Sequence, residues 1–252
     1  MRWKERWGWL ILGVTMAASV VAAEPIAPDR PDFTDGTLIV SPGYLQVEGG
    51  VTRSQGGGTS ETVLPELTLR FAVSEEMELR FGWDGWSEQS GGGDVVRGIN
   101  DMSVGAKALL LGEEAQPLRI GVLAATSVPI GSSSLTSDAW DPLVKLLWSY
   151  SLGDDYQLSG NLVAARPTEN GVHYAQRAQS LELGADLSEQ TSIYLEYFGM
   201  SRETLDGPST HYLDMGLTTL LSEDSSIDVR FGKGLNRAAS GWFSGVGMAM
   251  RF

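Results

Sequence analysis

The chain has 252 residues, no cysteine, and 18 Lys+Arg against 32 Asp+Glu, for a formal net charge of −14. An acidic balance of this size repels nucleic acid, so none is expected as a partner. The lack of cysteine excludes disulfides and a lipid-modified thiol, and two histidines, His173 and His211, are too few to suggest a transition-metal centre; no cofactor is expected.

The N-terminus carries Arg2, Lys4 and Arg6 and then an uncharged, largely apolar run from Trp9 to Val21, with Val21 and Ala23 at the offsets of a cleavage site. This predicts a secretory signal peptide over 1–23. The run is too short to cross a bilayer as a helix, which takes roughly 20 residues. Residues 24–42 read as a periplasmic extended segment stiffened by Pro28 and Pro31. It either tucks into the periplasmic mouth of the strand-rich remainder of the chain or simply leads into the first strand.

From residue 43 to 252 the hydrophobic period is 2, not 3.6. Met77, Leu79, Phe81 and Trp83 share one strand face, with Glu78, Arg80, Gly82 and Asp84 on the other. Ile193, Leu195 and Tyr197 oppose Ser192, Tyr194 and Glu196; Ile227, Val229 and Phe231 oppose Asp228, Arg230 and Gly232. Twelve such segments are predicted, near 43–53, 61–73, 76–86, 97–111, 117–130, 140–152, 155–165, 175–187, 190–201, 210–221, 225–234 and 242–252. Each is long enough for a tilted strand to cross a membrane.

Tight turns with acidic or polar tips (VSEEM, LGDDY, LSEQT, LSEDS) alternate with longer connections (SQGGGTSE, SEQSGGGDVV, GSSSLTSDA, PTENGVHYA, RETLDGPST, GLNRAASG). Trp83, Trp86, Trp140 and Trp242 fall at the long-loop ends, and Phe71, Trp148, Tyr150, Tyr156 and Phe252 at the short-turn ends. Loops sorted by parity and two aromatic girdles are the pattern of an all-β, closed antiparallel transmembrane β-barrel of the outer-membrane type, here of about 12 strands. The last strand alternates Trp242, Val246, Met248 and Met250 and ends on Phe252, similar to the assembly signal of outer-membrane proteins. The expected partners are outer-membrane lipid, the barrel-assembly machinery during biogenesis, and a small-molecule solute. The expected location is a Gram-negative type outer membrane.

If one face meets lipid, the other lines a lumen, because charges on the lipid face are costly. That places Glu66, Arg70, Glu78, Arg80, Asp101, Lys107, Arg119 and Lys145 inside, with Glu182, Glu196, Asp214, Asp228 and Arg230 on the later strands. Glu48, Asp84, Asp141 and Arg251 join them. Such charges either line an aqueous path or pair and fill it. A ladder pairing Arg70 with Glu78 and Arg80 diagonally with Glu66 is expected to narrow one wall. Gly184, Gly216 and Gly232 leave room on the other, for a path past Glu182, Asp214 and Asp228 with weak cation preference.

The stretch PDRPDFTDGTLIVSPGYLQVEGG carries Asp29, Arg30, Pro31, Phe33, Thr34 and Asp35, then Pro42, Gly43, Gln46 and Glu48. Over residues 28–52 it resembles the opening of the outer-membrane transporter family named for the meta-pathway of phenol degradation. The resemblance implies a channel or transporter for small solutes, including small aromatic or hydrophobic compounds. Two other readings stay open: a non-transporting structural or adhesion barrel with a charge-filled lumen, and an outer-membrane lipid enzyme. The last would need a nucleophile, a base and an acid in contact. Ser209, His211 and Asp214 fit no such motif, so no catalytic residue is expected.

Overall fold

The computed structural model describes residues 25–112, 116–239 and 241–252; the expected signal peptide lies outside them. Seventeen strands occur in chain order among the described residues. The first six are β1 (Leu45–Gly56), β2 (Thr59–Leu64), β3 (Leu67–Ser74), β4 (Met77–Trp83), β5 (Trp86–Gly91) and β6 (Asp94–Ile99). Next come β7 (Met102–Leu111), β8 (Leu118–Val128), β9 (Pro142–Ser151), β10 (Tyr156–Ala165), β11 (Thr168–Glu169) and β12 (Val172–His173). The chain ends with β13 (Gln176–Ser188), β14 (Thr191–Met200), β15 (Thr210–Ser222), β16 (Ser225–Gly234) and β17 (Trp242–Arg251). No helix occurs among the described residues.

Twelve of these strands form a closed antiparallel barrel. They follow one another as β1, β3, β4, β7, β8, β9, β10, β13, β14, β15, β16 and β17, and β17 pairs back to β1 from Gln46↔Arg251 to Gln55↔Trp242. Closure leaves no free edge in the wall. At the tight-turn ends the ladder slips at Ala72/Ser74, Leu109/Leu111, Asp186/Ser188 and Leu220/Ser222, the bulges that sharpen strand twist at a rim.

The expected strands over 61–73, 76–86 and 97–111 are each broken in two. Pro65 separates β2 from β3, because it cannot donate to a ladder. Gly85, at φ 54°, divides β4 from β5, and Asn100 divides β6 from β7 by bonding Asp84 O at 2.9 Å and Ser87 Oγ at 2.6 Å. Beyond the breaks, β2 pairs with the far half of β1, β5 with β2 and β6 with β5, forming a separate extension. The expected long loops SQGGGTSE and SEQSGGGDVV are mostly strand. Their tips are Gly57–Gly58 (φ 62° and 85°) and Gly92–Gly93 (φ 63° and 97°), the left-handed pairs that two-residue hairpin turns need.

Polarity is inverted relative to a soluble protein. Phe81, Leu195, Val229 and Met248 are 45–49% exposed on the outside, while Glu78, Lys107 and Glu196 are 0% exposed inside. An uncovered apolar band around a fully paired wall is matched to lipid. The interior is closed not by the wall alone but by residues 25–44. This segment enters at the tight-turn mouth, where Ile26 N donates to Glu223 O at 2.8 Å, and it returns to that mouth to begin β1.

Candidate functional site: a lumen filled by the N-terminal segment

The segment brings Asp29, Arg30 and Asp35 into the lumen, and these charges find partners in the wall. Asp29 sits among three cations: Arg80 at 2.6 Å, Lys107 at 3.0 Å and Arg70 at 3.4 Å. Arg70 and Arg80 are direct cross-strand neighbours on β3 and β4, a like-charge pair that is unfavourable without an anion between them. Asp29 supplies it. Arg70 also reaches Glu48 at 3.0 Å and Glu78 at 2.9 Å. Asp35 pairs with Arg80 at 3.2 Å and with Lys145. Arg30 joins Glu66 at 3.0 Å to Asp228 at 3.4 Å, and Glu48 accepts the backbone N–H of Asp29 and of Arg30. Arg230 holds Glu66 at 3.1 Å and donates to Pro31 O at 2.8 Å.

Two expectations change here. Glu78 lies opposite Ala72, not Arg70, because the turn sits at Glu75–Glu76 with Ser74 opposite Met77, which puts Arg80 across from Arg70; the Arg70–Glu78 ion pair forms diagonally. Glu66 meets Arg30 and Arg230 rather than Arg80, because the break at Pro65 takes Glu66 out of the β3–β4 ladder and Asp29 captures Arg80.

The wall on the far side is different in kind. Glu182, Glu196 and Asp214 stand directly opposite one another on β13, β14 and β15, in one lumenal row. Among the described residues no cation forms an ion pair with any of the three. Glu196 accepts Phe33 N–H at 2.8 Å and Thr34 Oγ1 at 2.5 Å, and Thr34 also bonds Ser180 Oγ at 2.5 Å. Glu182 accepts from Ser159 Oγ at 3.0 Å and Asp214 from the Tyr194 hydroxyl at 3.0 Å, leaving Glu182 Oε2 and Asp214 Oδ1 buried without a partner.

One step along the same strands the row becomes aromatic. Phe198 and Tyr212 are cross-strand neighbours with rings 4.8 Å apart, and Phe33 of the segment stacks on Phe198 at 4.5 Å and 6°. Lys145 Nζ lies 5.5 Å from the Phe33 ring centre. The room expected at three glycines is mostly taken. A Cβ on Gly216 would run into the Tyr194 ring and one on Gly232 into the Phe243 ring; only Gly184 faces open space, with its nearest atoms at 3.8 Å. Glycine here accommodates an aromatic neighbour rather than a solute.

Cavities remain on either side of the segment. One of about 740 Å³ opens among the tight turns, lined by Asp32, Glu182, Gly184 and Tyr194 and by Arg30 of the segment. One of about 570 Å³ lies toward the broken strands, lined by Glu61, Glu66, Asp84 and Asp101. The Arg30–Glu66 ion pair joins a lining residue of the first to a lining residue of the second, so the segment stands between them.

A filled twelve-strand barrel of this kind has relatives. The profile of the family described as "Putative MetA-pathway of phenol degradation" matches residues 28–252, nearly the whole chain. The chain belongs to that family. Among solved structures it is similar to a COG4313 outer membrane channel from Pseudomonas putida F1, with a TM-score of 0.67 and 12% identity, covering 90% of this chain and 100% of that one. It is also similar to the KdgM porin (TM-score 0.54, 12% identity, 82% and 99% covered) and the NanC porin (TM-score 0.53, 12% identity, 82% and 98% covered). No curated protein matches.

In this family member the opening motif Asp29-Arg30-Pro31 with Phe33, Thr34 and Asp35 is the part of the chain that meets both walls. Spacing alone could not show this, since its partners lie up to 199 residues away. Other candidates do different work. Asp101 anchors the 131–137 loop through Gly131 N–H, Ser137 N–H and Thr136 Oγ1. Arg119 faces inward beside Ser149. Arg251 pairs with Asp224 at the tight-turn rim, and Phe252 closes the ring by pairing its backbone with Leu45. His211 bonds the Tyr197 hydroxyl at 2.7 Å while Asp214 bonds Tyr194, so Ser209, His211 and Asp214 are not brought together. Thr168 Oγ1 lies 2.6 Å from both His173 Nδ1 and Asp141 Oδ1, but the hydroxyl rather than the imidazole is in the middle, the wrong order for a catalytic triad. Among the described residues no three His, Asp or Glu side chains are arranged to hold a metal ion.

Proposed function

We propose that this protein is an outer-membrane channel for small solutes whose passage is controlled by its own N-terminal segment, the plug. The observation that carries the reading is the position of residues 25–44: they fill a closed barrel between two solvent cavities and are held by side chains rather than by a sheet ladder. Side-chain ion pairs can exchange for water one by one, whereas a β-ladder opens cooperatively. A barrel of a dozen strands is also wider than those that side chains alone fill. The channel and porin names of the similar structures support the reading, as does the family description, which makes small aromatic compounds the first solutes to try. Export by a cleaved leader over 1–23, insertion through the barrel-assembly machinery on the strand ending at Phe252, and a role without catalysis complete it.

Single-channel recording of the full chain and of a variant lacking residues 25–39 tests this. The full chain should show small, intermittent steps, and the deletion should show steady steps about tenfold larger, as for a lumen opened to water. The density of buried ion pairs around Asp29 favours a second reading, a permanently filled structural barrel. Silence from both proteins would select it.

A further inference from the structure

The plug is well matched to one wall and badly matched to the other. Toward β3, β4, β7 and β9 its carboxylates meet Arg70, Arg80, Lys107 and Lys145. Toward β13–β15 it brings a further carboxylate, Asp32, against Glu182 and Glu196, and Asp32 Oδ1 is itself buried without a partner. Like charges in direct cross-strand register are destabilising, and buried unpaired carboxylate oxygens cost more. Glu182 and Asp214 are both more than nine-tenths buried. Among the described residues no cation forms an ion pair with this wall, and its carboxyl groups face one another.

Beside Asp32 and the Thr34 hydroxyl, the plug places the ring and backbone N–H of Phe33 there. Its ring lies flat on Phe198 and its backbone N–H points at Glu196. Ring, Cβ, Cα and nitrogen of Phe33 trace a flat ring joined through two carbons to a nitrogen donor. The wall reads both ends of that unit, the ring by the aromatic row and the nitrogen by the acid row. A peptide N–H is neutral, so it satisfies the hydrogen bond but not the charge. A free ammonium at the same point would do both, with a stronger charge-assisted bond and further acceptors in Glu182 Oε2 and Asp214 Oδ1.

We propose that Phe198 and Tyr212 with Glu182, Glu196 and Asp214 form a binding subsite for arylalkylammonium solutes, a flat ring carried two carbons from a cationic nitrogen, and that Phe33 occupies it as a tethered stand-in. Such a solute competes with the plug for the same ring face and the same carboxylate, so its binding unseats residues 33–34. Phenols and arylcarboxylates lack the cation, and simple alkylamines lack the ring. The subsite deepens the channel reading and relies on it for the solute's route, but not for binding itself.

The test uses the purified full chain in detergent and 2-phenylethylamine as the probe, with propylamine, phenylacetate and phenol as comparisons. Calorimetry should show 2-phenylethylamine binding at least about tenfold tighter than each of the three, the scale of losing one charged or one stacking contact. Phe33→Ala should tighten its binding about fivefold or more, because the tethered competitor is gone. Glu196→Gln and Phe198→Leu in that background should weaken it about tenfold. If Glu196→Gln does not assemble, Asp214→Asn carries the same expectation with a smaller change, since its hydrogen bond is to Tyr194 and not to the plug. The chain has no cysteine, so Thr37→Cys provides a single plug thiol whose maleimide labelling should quicken several-fold with 2-phenylethylamine alone. Binding that Phe33→Ala leaves unchanged, equal responses to propylamine and 2-phenylethylamine, or channel current with no amine binding would overturn the proposal. Amine binding without any channel current would support it and count only against the channel reading.

Discussion

The cation wall and the acid wall of the lumen differ in what they ask of the plug. On β3, β4, β7 and β9, Arg70, Arg80, Lys107 and Lys145 surround Asp29 and Asp35, and every one of these charges has an opposite partner within 3.4 Å. On β13–β15, Glu182, Glu196 and Asp214 form no ion pair with a cation among the described residues, and the plug contributes only neutral donors and another acid. The plug is therefore anchored on one side and merely leaned against the other. The contrast separates two kinds of burial, one in which a charge completes a wall and one in which a wall is left wanting charge.

Removing Asp29 should break this contrast most severely. Asp29→Ala leaves Arg70, Arg80 and Lys107 facing one another, and breaking such a buried network costs roughly 3–5 kcal/mol. Guanidinium unfolding of the refolded barrel should register the loss, and hydrogen exchange should rise across residues 28–36. Next in size is Gly232→Ala, whose methyl group would drive into the Phe243 ring on the wall beside the acid row. Overpacking of that kind costs roughly 1–3 kcal/mol, and the same unfolding assay should show it without exposing the plug. The acid wall should respond with the opposite sign. Asp32→Asn removes a like charge from in front of Glu182 and Glu196, so the plug should become more protected, by about 1 kcal/mol in exchange rates. Smallest is Arg97→Ala on the outer hairpin. Its 2.6 Å bridge to Glu88 is 59% exposed on the arginine side, and surface pairs contribute about 0–1 kcal/mol, so stability should barely move.

The wall was legible in the sequence because strand period and loop parity are local signals. Met77, Leu79 and Phe81 alternate with Glu78 and Arg80 whatever the rest of the chain does, and one correct strand fixes the facing of its neighbours. The three strand breaks were not legible as breaks, although Pro65, Gly85 and Asn100 are the residues that cause them. A proline or glycine in an alternating run reads equally well as a bulge or a bend. The glycine-rich connections read as flexible loops because only the φ angles of Gly57, Gly58, Gly92 and Gly93 make them two-residue turns. The filled lumen was half legible. Seventeen inward charges call for partners, but Arg30 could not be assigned to Glu66 and Asp228, nor Asp29 to Lys107, from positions that lie 36, 198 and 78 residues apart. One signal was present. A segment of twenty residues with Asp29, Asp32 and Asp35 spaced by threes and four prolines cannot fold by itself, and it precedes strands bearing Arg70, Arg80 and Lys107 that lack enough inward acids of their own. The acid row gave no such cue, since its excess charge is balanced by no ion pair among the described residues.

Control of passage by the plug is tested most directly by fixing it in place. Thr37 Oγ1 and Ser149 Oγ lie 2.8 Å apart, one on the plug and one on β9, close enough for a disulfide if both become cysteine in a chain that has none. The double variant Thr37→Cys/Ser149→Cys should carry no current in a planar bilayer when oxidised, and should recover the current of the unmodified protein when dithiothreitol is added. Equal current before and after reduction, with the disulfide confirmed by mass, would contradict plug control.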